Sequence, residues 1–151
     1  VVQARDILSG IAKCRGSIIV VGGGLVGCGV AEWLAEKGHK VRIAEMQADI
    51  APYMFLNEKT TMLERWKKLD IEIFTGRKVI SITTGGIMVE GDGKTEEMGG
   101  ETIVLAIGAE ADQKLAGVKE KTRKFFMIGD CAKPRKIMDA VYEGTKLGCE
   151  V

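Results

Sequence analysis

Four uncharged, β-branched residues, Ile18-Ile19-Val20-Val21, run into three consecutive glycines. Beyond them apolar residues recur every three or four positions. The unbroken run predicts a parallel strand buried on both faces. The spacing of Val26, Val30, Ala31, Leu34 and Ala35 predicts a helix over 25–37, stopped at Gly38. Val41 to Ala44 reads as a second strand. Residues 46–57 carry Pro52, which bars a helix, and their apolar Tyr53, Met54, Phe55 and Leu56 predict an ordered loop. It lies over a nucleotide or a partner domain, or is tucked into the core. Asn57 is the candidate N-cap of a helix over 58–69, with Met62, Leu63, Trp66 and Leu69 as its apolar stripe and Trp66 in the core. A third strand follows over 71–75.

The period then changes to two. Residues 78–83, 87–90 and 95–98 alternate between Gly85-Gly86 and Gly91-Asp92-Gly93-Lys94, the pattern of an antiparallel meander. Residues 102–107, TIVLAI, restore a fully apolar run and predict a central parallel strand. Residues 109–123 are polar and loop-like, Phe125 to Ile128 reads as a short strand, and a helix follows Pro134 with Ile137, Ala140, Val141, Gly144 and Gly148 on one face. Residues 1–16 form a connector into the first strand, or a frayed terminus. The fold class is α/β: a parallel sheet flanked by helices, with a three-stranded antiparallel meander.

Composition narrows the function only by exclusion. The 151 residues are 46% hydrophobic and 28% charged, with a net charge of +1. That balance gives no electrostatic support to binding of nucleic acid or a membrane surface. No run is long and apolar enough for a membrane span. The four cysteines, Cys14, Cys28, Cys131 and Cys149, have no C-x-x-C spacing, which argues against zinc or an iron–sulfur cluster held by this chain alone. They read as reduced thiols of a cytoplasmic protein.

Candidate chemistry sits where the first strand ends. Gly22, Gly24 and Gly27 form G-x-G-x-x-G between a strand and a helix, with Gly23, Leu25 and Val26 between them. This makes the predicted sheet Rossmann-like. Gly22 lets the chain reverse, Gly24 opens a path for a pyrophosphate, and Gly27 brings the helix close to its strand. The first turn of that helix points free N–H groups at the phosphates. Glu45 ends the second strand 18 residues after Gly27, near the spacing of the acid that accepts from an adenosine ribose. Met46 follows it. Glu45 repels a 2′-phosphate and Met46-Gln47-Ala48 offer no Arg, so NADH is favoured over NADPH. A Gly-rich turn without nucleotide is the structural alternative, and a pure interaction domain the third class. His39 reads as a turn residue. No catalytic acid, base or nucleophile is assigned.

A second set follows the last predicted strand: Gly129-Asp130-Cys131, then Pro134-Arg135-Lys136-Ile137, Asp139-Ala140 and Glu143-Gly144. With the strand ending Ala106-Ile107-Gly108 and the Gly22–Gly27 turn, it resembles the NADH:flavin oxidoreductase family of the 2,4-dienoyl-CoA reductase and trimethylamine dehydrogenase type. The meander between parallel strands resembles the nicotinamide-binding halves of two-nucleotide flavoproteins. The resemblance implies that Asp130 bonds the ribityl hydroxyls of FAD and that the helix starting at Ile137 faces its pyrophosphate or ring. It implies a larger parent with an FMN barrel, an iron–sulfur cluster and the other half of an FAD domain. Residues 1–16 then connect from that half, 17–108 bind NAD(P), and 109–151 return to the FAD domain, the isolated chain being inactive. Many two-nucleotide flavoproteins have Glu two residues after the third glycine, where this chain has Gly29. In trimethylamine dehydrogenase the equivalent site holds ADP as a structural nucleotide, which leaves NADH and ADP both open here.

Overall fold

Five parallel strands carry the first of two units in the computed structural model, which describes residues 1–151 and divides them into Val1–Gly108 and Ala109–Val151. In chain order the first unit runs β1 (Val2–Gln3), α1 (Ala4–Leu8), β2 (Ile18–Val21), α2 (Leu25–Glu36), β3 (Val41–Ala44), α3 (Leu56–Leu69) and β4 (Glu72–Phe74). The meander β5 (Lys78–Ile82), β6 (Gly86–Gly91) and β7 (Lys94–Gly99) follows, then β8 (Thr102–Leu105). The parallel sheet has the order β1-β8-β2-β3-β4, and the meander is a separate antiparallel sheet. This is the α/β fold, with its meander, that the hydrophobic pattern predicts.

Alternation along β2 decides what covers each face. Ile18 and Val20 join Val41, Ile43 and Val104 under the helices, against Cys28, Val30, Ala31 and Leu34 of α2 and Met62 and Trp66 of α3. Ile19 and Val21 point the other way, with Ala44 and Ile103, and pack on Ile87, Val89 and Met98 of the meander. The meander therefore does what a second layer of helices does in other α/β sheets: it keeps the far face dry. Trp66 is 1% exposed, a core residue as its stripe implies. Val21 pairs across from both Ala44 and Leu105, so three strands end level and their following turns lie side by side.

Local details depart from the pattern in informative ways. Val2 and Gln3 pair with Val104 and Leu105, and Ala4 and Ile7 are buried. Residues 1–16 thus supply an edge strand and a core contact besides leading into β2. Helix α2 ends as expected, in a Schellman arrangement: Gly38 N–H donates to Ala35 O at 2.9 Å and His39 N–H to Leu34 O at 3.2 Å, with Gly38 at φ +85°. Val26 does not join the buried face of α2; it is 57% exposed, because the first turn rests over the glycine bend and not over strand side chains. Helix α3 begins at Leu56, with Phe55 as its extended N-cap. Asn57 lies inside the first turn, where its carbonyl accepts from the Thr61 hydroxyl at 2.9 Å, so it is not the cap.

The second unit contains two 3-10 turns, Ala116–Lys121 and Gly129–Cys131, and α4 (Ile137–Glu150). Residues 125–128 do not form the expected strand. An extended run needs a neighbour for its backbone groups, and this unit contains no strand to pair with it. No residue of 109–151 is buried, and Ile137, Met138, Val141 and Tyr142 of α4 all stand exposed. Of the cysteines, Cys28 is buried and Cys131 and Cys149 are exposed; all four are free thiols. No helix is long and apolar enough to cross a membrane.

Two outcomes follow from this packing. A Cβ at Gly27 would lie 1.9 Å from Gly22 O, so Gly27→Ala is expected to lower stability by about 1–3 kcal/mol, read as the midpoint of urea unfolding. Helix α2 is tied to α3 by Arg65, whose Nε and Nη2 donate to the two oxygens of Glu32 at 2.6 and 3.2 Å. The Arg65 hydrogen bond holds the Glu32 carboxyl below its ordinary value of 4.5. A carboxyl with a lowered folded-state pKa stabilises above its unfolded value and loses that contribution as pH falls through the folded one. Acid titration should therefore weaken the wild type more steeply below about pH 4.5 than it weakens Glu32→Gln.

Candidate functional site

The bend between β2 and α2 is held by groups from three neighbouring segments. At Gly22 the backbone takes φ +103°, and a Cβ there would meet Ala106 O at 2.6 Å. A side chain is excluded at that point by both conformation and the end of β8. Gly22 N–H donates to Ala44 O at 2.9 Å, and Ala106 N–H to Val21 O at 2.8 Å. Gly23 follows, its N–H donating to Glu45 Oε2 at 2.6 Å and its carbonyl accepting from Ala51 N–H at 2.7 Å. The Cys28 thiol donates to the same carbonyl at 3.3 Å. Burial pushes that thiol up to about 11, so it keeps its proton and remains a donor.

Helix α2 then starts over Gly24, whose carbonyl accepts from Cys28 N–H at 2.9 Å. The amides of Leu25, Val26 and Gly27 precede that first helical bond and have no acceptor within the helix. A Cβ on Gly24 would meet nothing within 4 Å: the space in front of the helix start is open. Gly22 and Gly27 are tight against protein and Gly24 faces a void, the division of labour that a close-approaching diphosphate requires.

Glu45 completes the site. It is 8% exposed, and its other oxygen, Oε1, accepts from Gln47 N–H at 2.7 Å. Its backbone is fixed too, with its N–H on Phe74 O and its carbonyl accepting from Arg77 N–H. Each carboxylate oxygen thus uses one acceptor direction on the backbone and retains capacity for a further donor. The structure brings Gly22, Gly23, Gly24, Leu25, Val26, Gly27 and Glu45 together. Met46 is next to them in sequence and 66% exposed, and Gly108 lies two residues beyond Ala106, past the end of β8. A groove of about 510 Å³ adjoins the bend between α2 and α3, lined among others by Leu25, Cys28, Gly29 and Met62. A Cβ at Gly29 would meet nothing within 4 Å.

The remaining sequence-derived residues form a second cluster in the other unit. Gly129 N–H donates to Glu143 Oε2 at 2.7 Å, and Asp130 Oδ1 accepts from Arg135 N–H at 3.4 Å. Arg135 also bonds Glu143, which lies below the usual carboxylate range because of that contact. Asp139 accepts from Lys136 N–H at 3.1 Å at the start of α4. Asp130 is thereby held beside the helix start, and Ile137 stands 84% exposed on its first turn.

Sequence reading missed the groups that grip the bend from outside the motif: Ala51, Cys28 and Ala106. Ala51 sits at φ +44° directly before Pro52, and nothing in the pattern of residues 46–57 distinguishes it from its neighbours. The adjoining loop is divided: Ile50 and Ala51 are buried, while Tyr53, Phe55 and Leu56 are exposed.

Comparison with known proteins agrees with this geometry. Residues 3–144 match the family described as pyridine nucleotide-disulphide oxidoreductase. The chain is similar to an NADH oxidase of Thermoanaerobacter brockii, with 36% identity over 156 residues, 100% of this chain and 24% of the relative. Among solved structures it is similar to 6-hydroxypseudooxynicotine amine oxidase from Pseudomonas geniculata N1, with 28% identity and a TM-score of 0.87 over 97% of this chain and 24% of that one. It is also similar to a 2-naphthoyl-CoA reductase in complex with 2-naphthoyl-CoA, with 27% identity and a TM-score of 0.84 over 97% and 23%. The chain spans about a quarter of the length of the curated relatives it matches. With the match covering residues 3–144, this chain belongs to the pyridine nucleotide-disulphide oxidoreductase family, whose members bind FAD and NAD(P)H.

Proposed function

We propose that the first unit binds NADH for hydride transfer to FAD within a larger flavin-dependent oxidoreductase of the NADH:flavin oxidoreductase type. The observation that carries this reading is the Gly22–Gly27 bend with Glu45 locked against it. The amides of Leu25, Val26 and Gly27 would hold the diphosphate, with the helix dipole adding to their pull. Glu45 would accept from the ribose hydroxyls through the acceptor positions its backbone bonds leave open. When bound, the nicotinamide supplies a hydride and FAD accepts it. This chain's residues bind and orient; none is assigned to move a proton.

In the same reading, residues 109–151 belong to the flavin side of the parent enzyme. Asp130, held beside α4 by the Arg135 amide, would bond flavin hydroxyls. Gly129 and Ile137 would lie against the cofactor. The absence of any buried residue in this unit supports a segment completed by chain from elsewhere in the parent, such as the other part of an FAD domain and an FMN barrel. Localisation in the cytoplasm is part of this proposal and rests on the free thiols.

Gly29 favours a second reading, in which the same bend retains ADP as a fixed structural nucleotide. With no side chain at Gly29, the surface beside the groove offers no carboxylate there to a nicotinamide carboxamide.

Calorimetry separates the two. NADH binding clearly tighter than ADP is the outcome for a hydride-transfer module; ADP binding at least as tight is the outcome for a structural site; binding of neither overturns both. Glu45→Arg is expected to raise the NADPH-to-NADH affinity ratio, since it removes a charge that repels a 2′-phosphate and adds one that accepts it. Total affinity should fall as Gly23 N–H loses its acceptor. An unchanged ratio would show that Glu45 does not read the ribose.

A further inference from the structure

The Gly23 carbonyl is held by Ala51 N–H, and Ala51 is in turn held from α3. Lys59 Nζ donates to Ile50 O at 2.7 Å and to Asp49 Oδ2 at 2.5 Å. Asp49 Oδ1 accepts from Ile50 N–H at 2.9 Å, so one carboxylate and one ammonium hold the N–H and the carbonyl of Ile50, the residue just before Ala51. The Lys59 side chain is only 14% exposed, a location where a cation is stable only when paired. Ile50 and Ala51 are 2% and 1% exposed. Contact with the bend is direct on the side-chain level too, since a Cβ on Gly23 would meet Ile50 Cγ2 at 2.7 Å. Ala51 stands at φ +44°, a conformation that a non-glycine residue keeps only where its surroundings impose it.

We propose that Lys59 is a positioning residue for the nucleotide site: through Asp49 and Ile50 it seats Ala51 against Gly23 and so fixes the direction of the Leu25–Gly27 amides, without touching the nucleotide. This rests on the reading of the bend as a nucleotide site. The glycines of the motif have no side chains to stiffen it, and its conformation is imposed by hydrogen bonds with residues 44, 45 and 51 and, more weakly, with the Cys28 thiol. Glu45 belongs to the ribose end of the site. The Lys59 clamp supplies the opposing restraint, on the carbonyl of the same residue. Loosening it lets Ala51 leave its left-handed conformation, frees the Gly23 carbonyl to rotate, and spreads the amides that must converge on one diphosphate. Because the diphosphate is common to NADH and ADP, both nucleotides lose affinity together.

The test is calorimetric titration of the 151-residue chain with NADH and with ADP, beside amide hydrogen exchange at Ala51 and the thermal midpoint. In Lys59→Met both affinities should fall about tenfold, the scale of one charged hydrogen bond. Ala51 exchange should accelerate, and the midpoint should move by a few degrees at most. Lys59→Arg should restore most of the affinity. Asp49→Ala, at a largely exposed side chain, should give a smaller loss in the same direction and carries the test if Lys59→Met does not fold. Wild-type affinity in folded Lys59→Met, or a loss that tracks the thermal midpoint and is not restored by Arg, overturns the role of Lys59 while leaving the site intact. A wild-type chain that binds neither nucleotide overturns the site itself.

Discussion

The Gly23 backbone is bonded on both sides, its N–H to the Glu45 carboxylate and its carbonyl to the Ala51 amide. A bend made of glycines has no stiffness of its own; each glycine gains more freedom in the unfolded chain than any other residue. The conformation that leaves three amides at the helix start without a helical acceptor is therefore a tertiary product. It requires β3 to lead into Glu45, the following loop to deliver Ala51, and β8 to end at Leu105 so that Ala106 lies close under Gly22. The parallel register of β2, β3 and β8 is what brings these three chain ends to one edge, the edge at which open α/β sheets bind ligands.

How much of this the sequence discloses depends on whether a residue's role is set locally. Ile18 to Val21 announce a doubly buried strand because each of the four faces apolar neighbours. Gly27 announces a close helix–strand contact because a side chain there has no room. Gly38 and the meander turns are legible for the same reason: backbone conformation restricts the residue type. Val26 and Asn57 mislead because the helical period shows which residues share a face but not where the surface beneath that face ends. Phe125 to Ile128 reads as a strand by composition, yet strand formation needs a partner that composition does not reveal. Ala51 and Lys59 are silent in sequence: an alanine and a lysine acquire their roles only from a long-range hydrogen bond and from the contacts of one ammonium with Asp49 and the Ile50 carbonyl.

The two units differ in how much they bury. The first has a sheet with helices on one face and the meander on the other, and its candidate site is assembled from its own residues. The second has a well-bonded Gly129–Glu143 cluster but no buried residue, and α4 presents Ile137, Met138, Val141 and Tyr142 to solvent. Hydrophobic burial is the dominant favourable term in folding, and the fully buried hydrophobic residues all lie in the first unit. The chain spans about a quarter of the length of the curated relatives it matches.

The central claim is that the start of α2 is the diphosphate site, and amide-resolved NMR during titration tests it most directly. With saturating ADP, and again with NADH, the largest proton and nitrogen shifts should fall on Gly24, Leu25, Val26 and Gly27, with a second set at Glu45 and Met46. Saturable binding that leaves these amides unmoved and shifts residues elsewhere would contradict it.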